Sequence, residues 1–159
     1  MSANFDAAWK LLLGNEGGFV VDNGGPTRWG ITEAVARRNG YAGDMTALPQ
    51  STAEAIAKTE YWDDLHLDNL PTWAAFQLLD FHYNGGPSYQ LAQLVAGVPD
   101  DGKPGPLTEA AIAKMNPWEF VAKYNARRLR YFASLKQPQY ANGRMNRIAA
   151  NLQQGGLPE

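Results

Sequence analysis

The chain has 159 residues and a mass of 17.4 kDa; with 45% hydrophobic, 11% aromatic and 19% charged residues it has enough apolar material for one compact domain and is not disordered in bulk. It contains no cysteine, which excludes a disulfide framework and a thiolate metal site. Its 14 basic and 16 acidic side chains leave a formal charge of −2, which argues against a sequence-independent grip on nucleic-acid phosphates.

The start, MSANFDAAWK, lacks the basic residues, apolar core and cleavage site of a secretory signal, and no stretch approaches the ~20 apolar residues of a membrane span. Export, if it occurs, is expected to depend on another protein. Phe5, Ala8, Trp9, Leu12 and Leu13 recur at helical spacing behind Asn4, a capping residue, which predicts a helix over residues 5–15. Gly17-Gly18 ends it, and Phe19-Val20-Val21 before Asp22-Asn23-Gly24-Gly25 predicts a strand entering a hairpin, the one clear β signal. Thr32 opens a short helix that Gly40 closes, and the capping-box spacing of Ser51 and Glu54 opens another that ends near Trp62. After Pro71, TWAAFQLLDFHYN is apolar on most faces and is expected to be a buried central helix, stopped by Gly85-Gly86-Pro87. Further helices follow at SYQLAQLVAG, PLTEAAIAKM, PWEFVAKYNARRLRYFASL and GRMNRIAANLQ, the last two opened by Asn116-Pro117 and Asn142. The prediction is a mainly α (α+β) protein with one small β-hairpin, and a single domain over 1–159 made of a hairpin lobe (1–70) and a helical lobe (71–159).

One acid stands out. Glu16 falls where the first helix ends, and the partial negative charge of a helix C-terminus disfavours ionisation of a nearby carboxyl; apolar neighbours such as Trp9 or Phe19 act in the same direction. An acid kept protonated in this way suits general acid catalysis, and the glycines after it leave room for a polymer chain. The alternative is an exposed acid before a turn. Glycoside hydrolysis usually needs a second group that holds water across the sugar, and Asp22 and Thr27 are the local choices. A hairpin folds Asp22 back toward Glu16, toward the roughly 6.5–9.5 Å of an inverting pair, although Asp-Asn-Gly-Gly is turn sequence in any protein.

On the central helix Asp80 and Asn84 share a face with Tyr83 beside them, and buried polar groups need partners. They either contact a sugar or tie the helix to the hairpin. Trp29 either stacks on a sugar face or packs in the core. His66 and His82 are too far apart, with too few carboxylates near them, to suggest a metal site, and no metal or cofactor is expected. Asp101-Gly102-x-x-Gly105-x-x-Thr108 is a tight connection before a proline-led helix. Beyond Phe120 seven basic residues face one acid, Glu159. That is a solvated face pairing with the acidic part of the chain or an attraction to an anionic envelope surface; Lys123, Arg127 and Arg130 share one helical face that can reach anionic lipid.

The run EGGFVVDNGGPTRWGIT resembles the N-terminal signature of glycoside hydrolase family 108, the N-acetylmuramidases found among phage endolysins and related bacterial proteins. Downstream, Tyr61-Trp62 with Leu70-Pro71, then LLDFHYNGG, AQLVAGVPDDGKPGPLT and GRMNR keep the order of that family's motifs, the last two resembling its peptidoglycan-binding-type region. The resemblance implies a lysozyme-like fold with the hairpin at the active-site cleft. It implies hydrolysis of the β-1,4 bond between N-acetylmuramic acid and N-acetylglucosamine, with Glu16 as catalytic acid. Two features depart from the family: the segment before the DPGGxT-type turn is shorter, and Arg144 stands where tryptophan is common. The expectation is a monomeric endolysin with peptidoglycan strands as substrate, made in the host cytoplasm and acting in the periplasm after release by a holin. The rivals are a lytic transglycosylase using the same acid and a non-catalytic peptidoglycan-binding or virion module.

Overall fold

A computed structural model describes residues 3–15, 18–22 and 25–154, and it is mainly α-helical with one small antiparallel sheet. The chain divides into two compact units, Met1–Asp64 and Leu65–Glu159.

In the first unit, helix α1 (Ala3–Asn15) buries Phe5, Ala8, Trp9 and Leu12, the face its spacing predicts. Asn4 lies inside this helix and does not mark its boundary. Phe5 stacks on Trp9 at 6.2 Å and meets the edge of buried Trp62 at 5.3 Å. Strands β1 (Phe19–Asp22) and β2 (Gly25–Arg28) form the expected hairpin, in the register Val20 with Thr27 and Asp22 with Gly25. A third strand, β3 (Ile31–Thr32), was not legible in the sequence and pairs Thr27 with Thr32 and Arg28 with Ile31. It follows a two-residue turn in which Trp29 and Gly30 both take positive φ, 54° and 76°, as a tight right-twisted hairpin requires. Gly30 does this without strain; tryptophan rarely does, which is why RWG gives no turn signal.

Thr32 then caps helix α2 (Glu33–Arg38) by accepting from the Val35 N–H at 3.4 Å, as predicted. Helix α3 (Gln50–Ala57) starts earlier than its capping-box spacing suggests. Pro49 occupies the cap position, its carbonyl takes the Thr52 and Ala53 N–H groups, and no side chain caps the end. A π-helical turn, Lys58–Asp63, continues α3 to the expected end near Trp62.

The second unit is built on helix α4 (Thr72–Tyr83), buried along almost its whole length as its composition predicts. Helices α5 (Ser88–Ala96), α6 (Pro106–Ala113), α7 (Pro117–Ser134) and α8 (Ala141–Gln154) follow, with α5 and α7 packed on α4 and α8 on α7. Asn116 caps α7 through the Glu119 N–H at 3.2 Å, with Pro117 in the first turn. Helix α8 runs straight on from a 3₁₀ turn at Pro138–Tyr140 and needs no start at Asn142. Phe81 anchors the core, its ring edge-on to Tyr124, Tyr131 and Phe132 at 5.5–6.2 Å. Burial pushes the Tyr124 phenol upward, and its hydroxyl donates to the Ser88 carbonyl at 3.1 Å.

The Asp101–Thr108 connection is organised by Gln93 of α5. Its amide donates to the Asp101 carboxylate at 2.8 Å and the Lys103 carbonyl at 3.2 Å, while its oxygen accepts the Gly102 N–H at 2.7 Å. The bonds to Asp101 from the Lys103 N–H and from Gln93 hold its carboxyl below the usual range.

At the end of α4 the chain turns against its own core. A Cβ at Gly86 lies 2.1–2.4 Å from the Phe81 ring, whose own contacts leave it nowhere to move. Gly86→Ala is expected to cost about 1–3 kcal/mol, read as a lower urea midpoint with an unchanged slope.

Candidate active site

The chemistry suggested by Glu16, Asp22 and Thr27 belongs to the first unit. Glu16 lies outside the described residues, as does the side chain of Asp22; α1 is described as far as Asn15, and the Asp22 backbone pairs with Gly25 at the hairpin end. Thr27 sits half-buried on the middle strand, bonded through its neighbours to β1 on one side and β3 on the other. A residue on a central strand has its backbone fixed from both sides, so its hydroxyl is displayed from a firm base.

Below Thr27 the sheet is fastened to the 3₁₀ turn Met45–Ala47. The Arg28 guanidinium donates to the Thr46 carbonyl and lies 5.2 Å from the centre of the Trp29 ring. The Trp29 indole N–H donates to the Leu48 carbonyl at 3.0 Å. Trp29, weighed as a sugar platform, is therefore tied by its polar edge to the protein, and this bond helps hold the residue in its left-handed backbone. Asp44 caps the 3₁₀ turn, and bonds from the Thr46 hydroxyl and N–H hold its carboxyl below the usual range. The sequence signals for Arg28, Asp44 and Leu48 as supports were absent, because each acts through a loop that no periodicity marks.

The other suggested residues lie in the second unit. Asn84 caps α4, its amide donating to the Asp80 carbonyl at 2.8 Å, and the residue is exposed. Tyr83 is buried. Asp80 needs a correction as a sugar contact. It is 0% exposed, and its carboxylate accepts from Arg128 Nη2 at 2.8 Å, Arg147 Nε at 2.8 Å and Asn151 Nδ2 at 2.6 Å. Its partners are on α7 and α8, not on the hairpin, and no oxygen is left for a ligand. Arg128, also fully buried, donates to Asn125 at 3.2 Å, and Asn125 donates to Gln77 at 2.9 Å. Arg128 and Arg147 belong to the basic run for which the sequence offered a solvated face or an attraction to an anionic surface. The signal that could have drawn them inward was Asp80 itself, since an acid on a wholly apolar helix demands counter-charge.

Comparison with known proteins gives the arrangement a context. Residues 9–86 match the family described as Glycosyl hydrolase 108, a span that holds the whole hairpin, its 3₁₀ support and α4. This region belongs to glycosyl hydrolase family 108. A structure titled "Structure of Brucella abortus SagA" is similar at 28% identity and a TM-score of 0.84, covering 95% of this chain and 92% of that one. A comparison with curated proteins finds no match. Family 108 membership makes the protein a glycoside hydrolase of the peptidoglycan-degrading class, and the fold is lysozyme-like as the resemblance implied.

Asp80→Ala leaves two arginines facing an empty buried site. The expected loss is about 3–5 kcal/mol of folding stability, measured by denaturant titration; a substitution that altered only substrate affinity would return Asp80 to the binding residues.

Proposed function

We propose that this family 108 enzyme is an N-acetylmuramidase, hydrolysing the β-1,4 bond between N-acetylmuramic acid and N-acetylglucosamine with Glu16 as general acid. The observation that carries the reading is the glutamate-glycine-glycine run at Glu16, inside the matched span, leading directly into the strand ladder that fixes Thr27. Glu16 follows the C-terminal end of α1, where the helix dipole favours the protonated carboxyl that a general acid needs. In an antiparallel ladder Val20, position 22, Gly25 and Thr27 fall on one face of the sheet. That register supports a shared role for Asp22 and Thr27.

In the proposed reaction Glu16 gives its proton to the glycosidic oxygen, and the bond from that oxygen to the muramic C1 breaks. A water positioned by Asp22 and Thr27 supplies the new C1–O bond at the oxocarbenium-like centre, and its proton leaves through Asp22. The products are a reducing N-acetylmuramic acid end and a free 4-hydroxyl on N-acetylglucosamine. We place the enzyme as a monomeric phage endolysin, made in the host cytoplasm and meeting peptidoglycan in the periplasm after a holin opens the membrane. A chain without cysteine suits both compartments.

Glu16→Gln is expected to reduce clearing of chloroform-treated Gram-negative cells by roughly 10²–10⁴-fold with an unchanged melting temperature. Thr27→Ala should lower kcat about tenfold, the equivalent of one hydrogen bond. Mass spectrometry of digested muropeptides should find reducing ends. Anhydro ends, lighter by one water, would overturn hydrolysis in favour of transglycosylation, and wild-type clearing by the glutamine variant would overturn the role of Glu16.

A further inference from the structure

The second unit carries a surface that the hydrolytic reading does not use. Lys123, Arg127 and Arg130 line a groove of about 350 Å³ between α5 and α7, together with Leu94, Val95 and Ala126. These cations are exposed. Among the described residues Lys123 pairs with Glu119 one turn away, the Arg127 guanidinium reaches the Leu94 carbonyl at 3.5 Å, and Arg130 has no partner. Surface charge of one sign held beside an exposed leucine is expensive for a protein that meets only water, because the cations repel and the leucine stays wet.

The next strip of α7 is different in character. At ~100° per residue, Ala126 and Ala133 separate the cationic stripe from a second one made by Leu129 and Phe132. That stripe and Met145 of α8 line an apolar groove of about 450 Å³, with Leu129 and Met145 exposed by 43% and 51%. The exposed arc of α7 therefore carries cations on one flank and Leu129 on the other, about 100° round the helix from Arg130 and about 160° from Arg127, all within one compact unit. Asp80 supports this division, since it draws Arg128 and Arg147 inward and leaves Lys123, Arg127 and Arg130 outward.

We propose that this side of α7 docks the protein on anionic phospholipid bilayers, with Arg127 and Arg130 on headgroup phosphates and Leu129 and Met145 at the acyl boundary. The match is one of chemistry: a bilayer surface offers anionic phosphates and hydrocarbon within a few ångströms of each other, and the exposed arc of α7 offers cations on one flank and apolar side chains on the other. A soluble anion satisfies only the first half. No helix among the described residues is long and apolar enough to cross a membrane, and docking at the surface requires none.

Vesicle flotation tests this with the full-length protein. The wild type should float with vesicles of equimolar phosphatidylglycerol and phosphatidylcholine, stay behind with phosphatidylcholine alone, and be released by high salt. Arg127→Glu with Arg130→Glu should weaken partition roughly tenfold or more. Lys103→Glu with Lys114→Glu, an equal change of net charge at exposed sites elsewhere in the unit, should float normally. Leu129→Ser with Met145→Ser should also weaken flotation. If the glutamate pair does not fold, as judged by its thermal transition, Arg127→Gln with Arg130→Gln makes the same comparison.

Failure of the wild type to float, normal flotation of the arginine variants, or equal loss in the lysine variant each overturns the proposal. So does an arginine variant that loses binding to purified wall sacculi and keeps binding to vesicles, because the partner is then an anionic wall polymer. Activity on soluble peptidoglycan fragments is unaffected by any of these outcomes, so the muramidase reading stands or falls separately.

Discussion

A carboxylate sealed inside a helical core has to be matched by positive charge and hydrogen bonds, and in this protein Asp80 imposes that condition on everything around it. Two arginines and an asparagine from α7 and α8 converge on its oxygens, and a chain of amides from Arg128 through Asn125 to Gln77 extends the network. Hydrophobic burial is indifferent to small rotations of one helix on another; an ion pair at 2.8 Å is not. The cluster thus sets the registers of α7 and α8 on α4, and with them the direction in which the remaining basic side chains point. The Arg128 guanidinium also lies 4.8 Å from the Phe81 ring, so the polar hub and the aromatic core share one wall.

The first unit solves a different problem. Its sheet is three short strands, too small to hold itself rigid by ladder bonds alone. Rigidity is supplied from outside the ladder, by Arg28 and Trp29 bonding to the carbonyls of Thr46 and Leu48, and by Asp44 capping the turn that carries them. Trp29 accepts an unfavourable backbone conformation as part of this arrangement. Strain next to a middle-strand threonine is consistent with a site whose geometry has to be held against thermal motion, since a water-positioning hydroxyl displaced by an ångström loses much of its effect.

The two units therefore divide the work of a family 108 glycoside hydrolase in a way that can be read residue by residue. The hairpin unit holds the proposed acid, water and threonine. The helical unit combines a buried ionic hub with an outward surface of cations and exposed apolar groups, and the proposed bilayer docking follows from the second of these. The family resemblance gave the acid; the basic groove came from the packing of α5 against α7.

Much of this was legible without coordinates, and the reasons are local. Helical periodicity marked α1, α4 and α7 because burial of one face, or of all faces, leaves its spacing in the residues, and Thr32 and Asn116 announced their helices because a cap bonds only to its own next turn. What stayed hidden depended on residues far apart in the chain. The strand at Ile31–Thr32 exists because Trp29 is held in a left-handed turn by Leu48, and Pro49 takes the start of α3 ahead of the capping-box serine. Asp80 could be seen to need partners, but whether they were a sugar, the hairpin or arginines 48 and 67 residues away is a question that only the folded chain decides. A sequence carries the demand for a counter-charge; the side chain that meets it is chosen by which helices the core brings within hydrogen-bonding distance.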